Sequence, residues 1–401
     1  MGKIESIVPV EIVTPPGSSV IHRFFDTSPF SPSGRYLGLT RFPFEDRLPK
    51  RGDTAAIMVV DLRTGTPVTI DQTAAWDTQL GAHVQWGKSD RELVYNIFDE
   101  ASGAIRTRVM DPQTSKSRDL DGPVYMVSPG GAQALAPNLF MLNRVQKGYG
   151  VFWAGPNEWK RHRDHQRNGV WFTDLTTGST RLLLTIEDIL TRLPQLREYE
   201  KKRRGEYVCF HVKWNPQSTR IMIVFRFGAT GEKWIRNTIL TAKADGSGLT
   251  MALDPERWKY GGHHPNWCPD GESILMNLKL EKDAIEFVRF RHDGCNLEVL
   301  SRNHLGSGHP TLHPDGRHIL TDCYPHEVNS DCAVPLRWID IKHDRETEIA
   351  KVPCVPDILG PSNELRIDPH PAWDTRHERI AFNCLHEGRR AVAVGDMRSL
   401  L

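Results

Sequence analysis

Trp267-Cys-Pro-Asp-Gly-Glu-Ser-Ile-Leu-Met276 reads as the end of one strand, a tight turn and the start of the next. Pro presets one turn dihedral, and Gly supplies the backbone freedom that the reversal needs. Leu312-His-Pro-Asp-Gly-Arg-His-Ile-Leu320 repeats the pattern closely. Five weaker copies begin at Phe30 (Phe-Ser-Pro-Ser-Gly), Trp86 (Trp-Gly-Lys-Ser-Asp), Val127 (Val-Ser-Pro-Gly-Gly), Trp214 (Trp-Asn-Pro-Gln-Ser) and Trp373 (Trp-Asp-Thr-Arg-His). A second strand-and-turn signal follows most copies, as in Val59–Gly65, Thr173–Gly178 and Ala244–Gly248. Another starts at Trp338-Ile-Asp-Ile341 without a Gly to mark its turn.

Seven units of about 50 residues, each with about four short strands, predict an all-β fold, a seven-bladed β-propeller. One blade cannot bury both of its faces, whereas a closed ring can. Residues 1–401 then form a single domain. The last copy has room for about three strands before the chain ends, given ordinary strand lengths. The alternating run Ile7–Val13 is expected to supply the fourth, so that the two termini close the ring. The largest gap between copies predicts one long insertion around 144–205. In it Thr185 and Asp188 are placed to cap a helix that Pro194 would interrupt. Its basic stretch, Lys160-Arg-His-Arg-Asp-His-Gln-Arg167, reads either as a solvated loop or as an arm for an anionic ligand.

The 401 residues carry a formal net charge of +1, with 25% charged and 39% hydrophobic residues. That balance argues against a nucleic-acid partner, and no apolar run is long enough for a membrane span. The opening residues lack the basic-then-apolar layout of a secretion signal, so a cytoplasmic location is expected. Seven cysteines without a C-x-x-C pair suit neither a disulfide framework nor a zinc knuckle. Motifs of P-loop, G-x-S-x-G and H-E-x-x-H type are absent, and Gly228-Ala-Thr-Gly-Glu-Lys233 reads as a turn.

Histidine placement is the informative feature. His83, His211, His264, His309 and His370 each stand three residues before the anchor of a repeat copy. Equivalent repeat positions share a radius and a height in a propeller, so these five side chains are expected to converge on one face of the central channel. Glu364, Arg366, Asp368 and His370 alternate, and would share one face of a strand. His263 adjoins His264. Imidazole together with carboxylate suits Mn²⁺, Fe²⁺ or Zn²⁺, and the fork of Arg366 suits a carboxylate ligand.

These residues resemble the oligogalacturonate lyases, a family of seven-bladed propellers acting on pectin fragments. The stretches that carry the resemblance are Ile21-His-Arg-Phe-Phe25, His264-Pro-Asn-Trp-Cys-Pro-Asp-Gly271, Gly308-His-Pro310 and Asp368-Pro-His-Pro-Ala-Trp373. It implies a divalent metal, Mn²⁺, held by His309 and His370. Asp368 stands where the family has a further His. Leu365 stands at a Gln ligand position, and Glu364 beside it is the carboxylate that could substitute. The resemblance also implies His264 as the proton-abstracting base, with His211 and the His22–Arg23 pair near the active face.

The expected activity is β-elimination on an anionic, uronate-containing oligosaccharide, giving a 4,5-unsaturated product. His264 is the expected base. Arg366 and His211 are acid or substrate-orienting candidates, His22, Arg23, His83 and His263 substrate-binding ones, and His309, Asp368, His370 and Glu364 the metal ligands. The rival readings are a non-catalytic propeller of the TolB type, binding a sugar or protein, and a hydrolase or isomerase using the same site.

Overall fold

The computed structural model describes residues 3–152, 162–229, 235–282, 284–324 and 333–401. Lys160 and Arg161 of the basic stretch and residues 230–233 of the Gly228–Lys233 turn lie outside them.

Seven antiparallel sheets form the ring of blades, five of them running outward from the channel in chain order and two ending in an N-terminal strand. The innermost strands of blades I–VII are Ser19–Ile21, Gln85–Trp86, Met126–Val127, Gly205–Trp214, Gly262–Trp267, Thr311–Leu312 and Ala372–Trp373. Six of the seven repeat anchors end these strands. The seventh, Phe30, makes an isolated bridge to Leu37, because residues 22–29 leave the sheet first.

The anchor tryptophans explain why the repeat carries an aromatic. Trp86 Nε1 donates to the Pro29 carbonyl at 2.9 Å, Trp267 Nε1 to the Lys213 carbonyl at 3.4 Å, and Trp373 Nε1 to Thr311 Oγ1 at 3.2 Å. Each acceptor lies one residue before the anchor of the preceding blade. In these three the indole fills the seam between two blades and satisfies its polar atom there, whereas Trp214 Nε1 is buried without a hydrogen-bond partner.

Val10–Ile12 pairs with Arg389–Asp396 as the outer strand of blade VII, so the N-terminus closes the ring as its alternation predicts. Glu5–Ser6 also pairs with Arg345–Pro353, adding a fifth strand to blade VI that the sequence pattern did not announce. The 144–205 segment resolves into several parts. Gly169–Asp174 and Thr180–Thr185 are the outer strands of blade III itself. Ile186–Arg192 is helical, with the Thr185–Asp188 capping box in place, and a short 3₁₀ turn begins at Pro194. No helix among the described residues is long and apolar enough to cross a membrane.

A plug from blade I fills the channel. Phe24 is fully buried, and its ring touches His211, His264, His309 and His370, with centroids 4.6–6.0 Å away. Behind it Asp26 accepts from Arg23 and pairs with Lys213 of blade IV, both at 2.8 Å, with all three side chains at most 1% exposed. Burial opposes the Asp26 charge, but Lys213 and Arg23 hold its carboxyl well below the usual range.

Removing residues 1–13 takes away both closing strands. Thermal unfolding of that truncated chain is expected at least about 5 °C below the full chain. An unchanged midpoint would show that closure does not depend on them. Asp26→Ala leaves Lys213 uncompensated and is expected to cost about 3–5 kcal/mol in denaturant unfolding.

Candidate active site

The repeat histidines leave the innermost strands at irregularities. His83, His264 and His370 adopt left-handed backbone, at φ 57, 55 and 50°. For His309 the left-handed residue is the preceding Gly308, at φ 62°. A carbon at its Cβ position would lie 2.1 Å from the Asp322 carbonyl oxygen, so Gly is required there. Non-glycine residues in this region gather at functional sites.

The consequence is a cluster of imidazoles, packed mostly edge to face. His264 and His309 have ring centroids 3.8 Å apart, His309 and His370 4.2 Å, and His22 and His370 6.4 Å. Four of the five repeat histidines meet around Phe24. His83 is one step removed, against Tyr125 at 5.1 Å, and the Tyr125 phenol pairs with His211 Nδ1. Burial pushes His264, His370, His211 and His83 well below the ordinary imidazole pKa. His309 adds to the effect at His264 and His370. Burial takes His22 down to about 4. These rings are therefore neutral at neutral pH, the form that binds a metal or accepts a proton.

His309, Asp368 and His370 each offer a donor atom, all within 4.8 Å of one another. His309 Nε2 and both ring nitrogens of His370 are buried without a hydrogen-bond partner. Orphaned buried nitrogens are costly, so their convergence on a carboxylate fits a cation. Two imidazoles and one carboxylate suit Mn²⁺, Fe²⁺ or Zn²⁺ and leave coordination positions for a substrate.

Asp322 sits behind this group. Its carboxylate accepts from His309 Nδ1 at 2.8 Å, from the His309 backbone N–H at 2.7 Å and from the His370 backbone N–H at 3.1 Å. It fixes the tautomer that leaves His309 Nε2 open, as carboxylates behind metal-binding histidines do. The sequence reading missed it, although a signal was present. Thr40, Asn96, Asn277, Asp322 and Asn383 each stand ten residues after an anchor. Each bonds backbone of the next blade: Ala82, Val124, Gly308, His370 and His22 respectively. Only blade VI has a charged residue there.

His264 is fixed differently. Its Nδ1 lies 2.7 Å from the Gly308 carbonyl, which can only accept, so Nδ1 carries the proton and Nε2 the lone pair. Tyr324, also missed, brings its hydroxyl to 3.3 Å from Nε2. His263 and Asn277 lie on the Nδ1 side.

Other expected residues fall elsewhere. The run from Glu364 to His370 is not a strand; blade VII begins only at Ala372. Asp368 and His370 meet, with Arg366 Nε 2.8 Å from Asp368. The Glu364 carboxylate instead accepts the Ser362 N–H at 2.6 Å and lies outside the donor group, because its own tight turn holds it. Arg23 is locked to Asp26 within the plug, with its guanidinium 4.7 Å over Tyr125, rather than standing at an open face. Burial works against the Arg366 charge, but Asp368 and nearby tyrosines keep its pKa above the ordinary value.

The long blade III connection does reach the site. Arg366 donates to the Tyr149 hydroxyl at 3.4 Å, and Gln146 accepts from Arg226 at 2.8 Å. Arg226 lies 3.6 Å over the Phe210 ring and pairs with no carboxylate among the described residues. Burial lowers its pKa to about 10. In the basic stretch, Arg163 is neutralised by Glu206 at 2.8 Å.

No family model and no curated protein matches the chain. Among solved structures, an oligogalacturonate lyase in complex with manganese is similar at 14% identity and a TM-score of 0.66, covering 98% of this chain and 93% of that one. The oligogalacturonate lyase of Vibrio parahaemolyticus is similar at 14% identity and 0.64, covering 98% and 96%. The propeller domain of the Trilobed protease from Pyrococcus furiosus follows at 11% identity and 0.50, covering 94% and 95%. At these identities the likeness establishes the propeller fold.

Calorimetric titration with Mn²⁺ is expected to show one site, abolished in His309→Ala and His370→Ala. Asp322→Asn should weaken it about 10–100-fold. Unchanged affinity in His370→Ala would remove this group as the metal centre.

Proposed function

We propose that this propeller is a carbon–oxygen lyase that cleaves uronate-containing oligosaccharides by β-elimination, leaving a 4,5-unsaturated uronate. The observation that carries this is the state of His264. It is neutral, its tautomer is fixed by Gly308, and its lone pair stands beside a preformed group of cation ligands. The likeness to a lyase that binds manganese supports the same reading. A purely binding propeller has no need of buried imidazoles with unpartnered nitrogens, which destabilise the fold.

The C5 proton of a uronate is α to a carboxylate and very weakly acidic, so the charge developing on that carboxylate must be stabilised. A divalent cation, most simply Mn²⁺, held by His309, Asp368 and His370 would supply positive charge at that carboxylate. The chain contributes guanidinium groups to the same end. Arg226 pairs with no carboxylate among the described residues, and Arg366 adds a second guanidinium, held by Asp368, the Asn363 carbonyl and Tyr149. His264 Nε2 takes the C5 proton, and Gly308 steadies the resulting imidazolium through Nδ1–H. Asp322 keeps His309 and the His370 backbone in register while charge moves. Tyr149 orients Arg366.

Incubation with a panel of uronate oligosaccharides, with Mn²⁺ and with chelator, tests this. Ultraviolet absorbance of the unsaturated product is expected to grow only with metal. His264→Ala should lower the rate by about 10²–10⁴-fold. A flat trace across galacturonate, glucuronate and rhamnose-linked uronates would refute the lyase assignment.

A further inference from the structure

We infer that His264 and Tyr324 act as an acid–base pair on one side of the sugar, so that elimination is syn and the substrate is a uronate whose C5–H and C4–O bonds are cis, as in glucuronate. This rests on the lyase reading above and narrows it to one stereochemical class.

The geometry is specific. The Tyr324 hydroxyl lies 3.3 Å from His264 Nε2 and 3.5 Å from Nδ1, and Nδ1 is already engaged by Gly308 at 2.7 Å. The hydroxyl is thus nearly equidistant from the two nitrogens and stands over the face of the ring, which leaves the in-plane Nε2 lone pair open to a substrate proton. Separations of this length are usual before substrate tightens a catalytic site. The tyrosine is braced by rings on its own side of the channel, with centroids 5.3 Å from His263, 6.0 Å from His264 and 5.8 Å from His309. It follows Asp322 by two residues, just beyond the strand His318–Thr321.

Base and acid this close approach the sugar from one direction. In glucuronate the C5 proton and the C4 oxygen project from the same face of the ring, and one pair can reach both. In galacturonate they project from opposite faces, and an acid is needed across the ring from His264. Arg366 cannot serve there, because a guanidinium does not give up its proton in a protein and this one is bound to Asp368. His211 already pairs with the Tyr125 phenol and stacks on Phe24, with centroids 5.5 Å apart.

The step balances within the pair. His264 Nε2 takes the C5 proton, and the C–H electrons become the C4=C5 double bond. The C4–O bond breaks with its electrons on oxygen, which takes the Tyr324 proton. The phenolate then recovers a proton from His264 Nε2–H, and both residues return to their starting states. The net change is one proton moved from C5 to the leaving oxygen, with no water or redox partner consumed.

The test compares oligosaccharides of 4-linked glucuronate and of 4-linked galacturonate, with Mn²⁺ present, in the full chain and in Tyr324→Phe and His264→Ala. A third substrate is a glucuronate bearing a nitrophenyl ether at C4, a leaving group that departs without protonation. Wild type is expected to cleave the glucuronate oligosaccharide about 100-fold faster than the galacturonate one, the span that a positioned acid supplies. Tyr324→Phe should lose about 100-fold or more in kcat with little change in KM or in Mn²⁺ affinity. The nitrophenyl ether should restore its rate but not that of His264→Ala. Faster cleavage of galacturonate, with Tyr324→Phe as active as wild type, would overturn the one-sided pair and leave the lyase standing. No cleavage of either oligosaccharide by wild type would overturn both.

Discussion

The buried carboxylate of Asp322 is the contact on which the site depends. It holds one ring nitrogen and the backbone N–H of His309 in its own blade, and the backbone N–H of His370 in the next. Two of the three candidate ligands, from different blades, are thereby set by one rigid group. Its cost is a carboxylate at 0% exposure, and a buried charge needs strong compensation. The N–H donors supply part of it. A cation on the far side of His309 would supply more, carried through the imidazole. The site and the seam between blades VI and VII are in this sense one structure.

Phe24 imposes the complementary constraint. A propeller channel lined by polar inner strands would otherwise admit water along its length. The blade I plug replaces that water with an aromatic ring in contact with four histidines, and seals it from behind with the Asp26–Lys213–Arg23 network. Burial pushes His211, His264 and His370 well below the ordinary imidazole pKa, so the plug bears on their protonation as well as their packing. This explains why blade I alone breaks its innermost strand, at residues 22–29, before Phe30 rejoins it.

The fold was legible because its signal is repeated. An aromatic or aliphatic anchor followed by a turn, most often with Pro or Gly, recurs in every blade, and the tryptophan N–H contacts across three seams show what an aromatic anchor does. The histidines were legible for the same reason, since five occupy one repeat position. What escaped was less periodic or polar in a subtler way. The position ten residues after the anchor varies among Thr, Asn and Asp, so its shared role in bonding the next blade shows only once partners are seen. Tyr149 and Tyr324 lie outside the repeat pattern. Glu364 was misjudged because alternation was read as a strand where the chain forms a turn, and a turn aims its carboxylate at its own Ser362 N–H.

The Arg366–Asp368 pair shows how such a site can differ from a set of neutral ligands without losing balance. A carboxylate among imidazoles adds an acidic group to a buried pocket that already contains Asp322. Arg366, two residues away on the same loop, cancels it at 2.8 Å. The same guanidinium also reaches Tyr149, so it is anchored at both ends rather than free to withdraw. A cation arriving at His309, Asp368 and His370 would share the Asp368 carboxylate with Arg366, and the charge released on the guanidinium would face an incoming anionic sugar. Metal and substrate carboxylate would then favour each other's binding through one arginine. A neutral ligand at the Asp368 position could not provide that coupling.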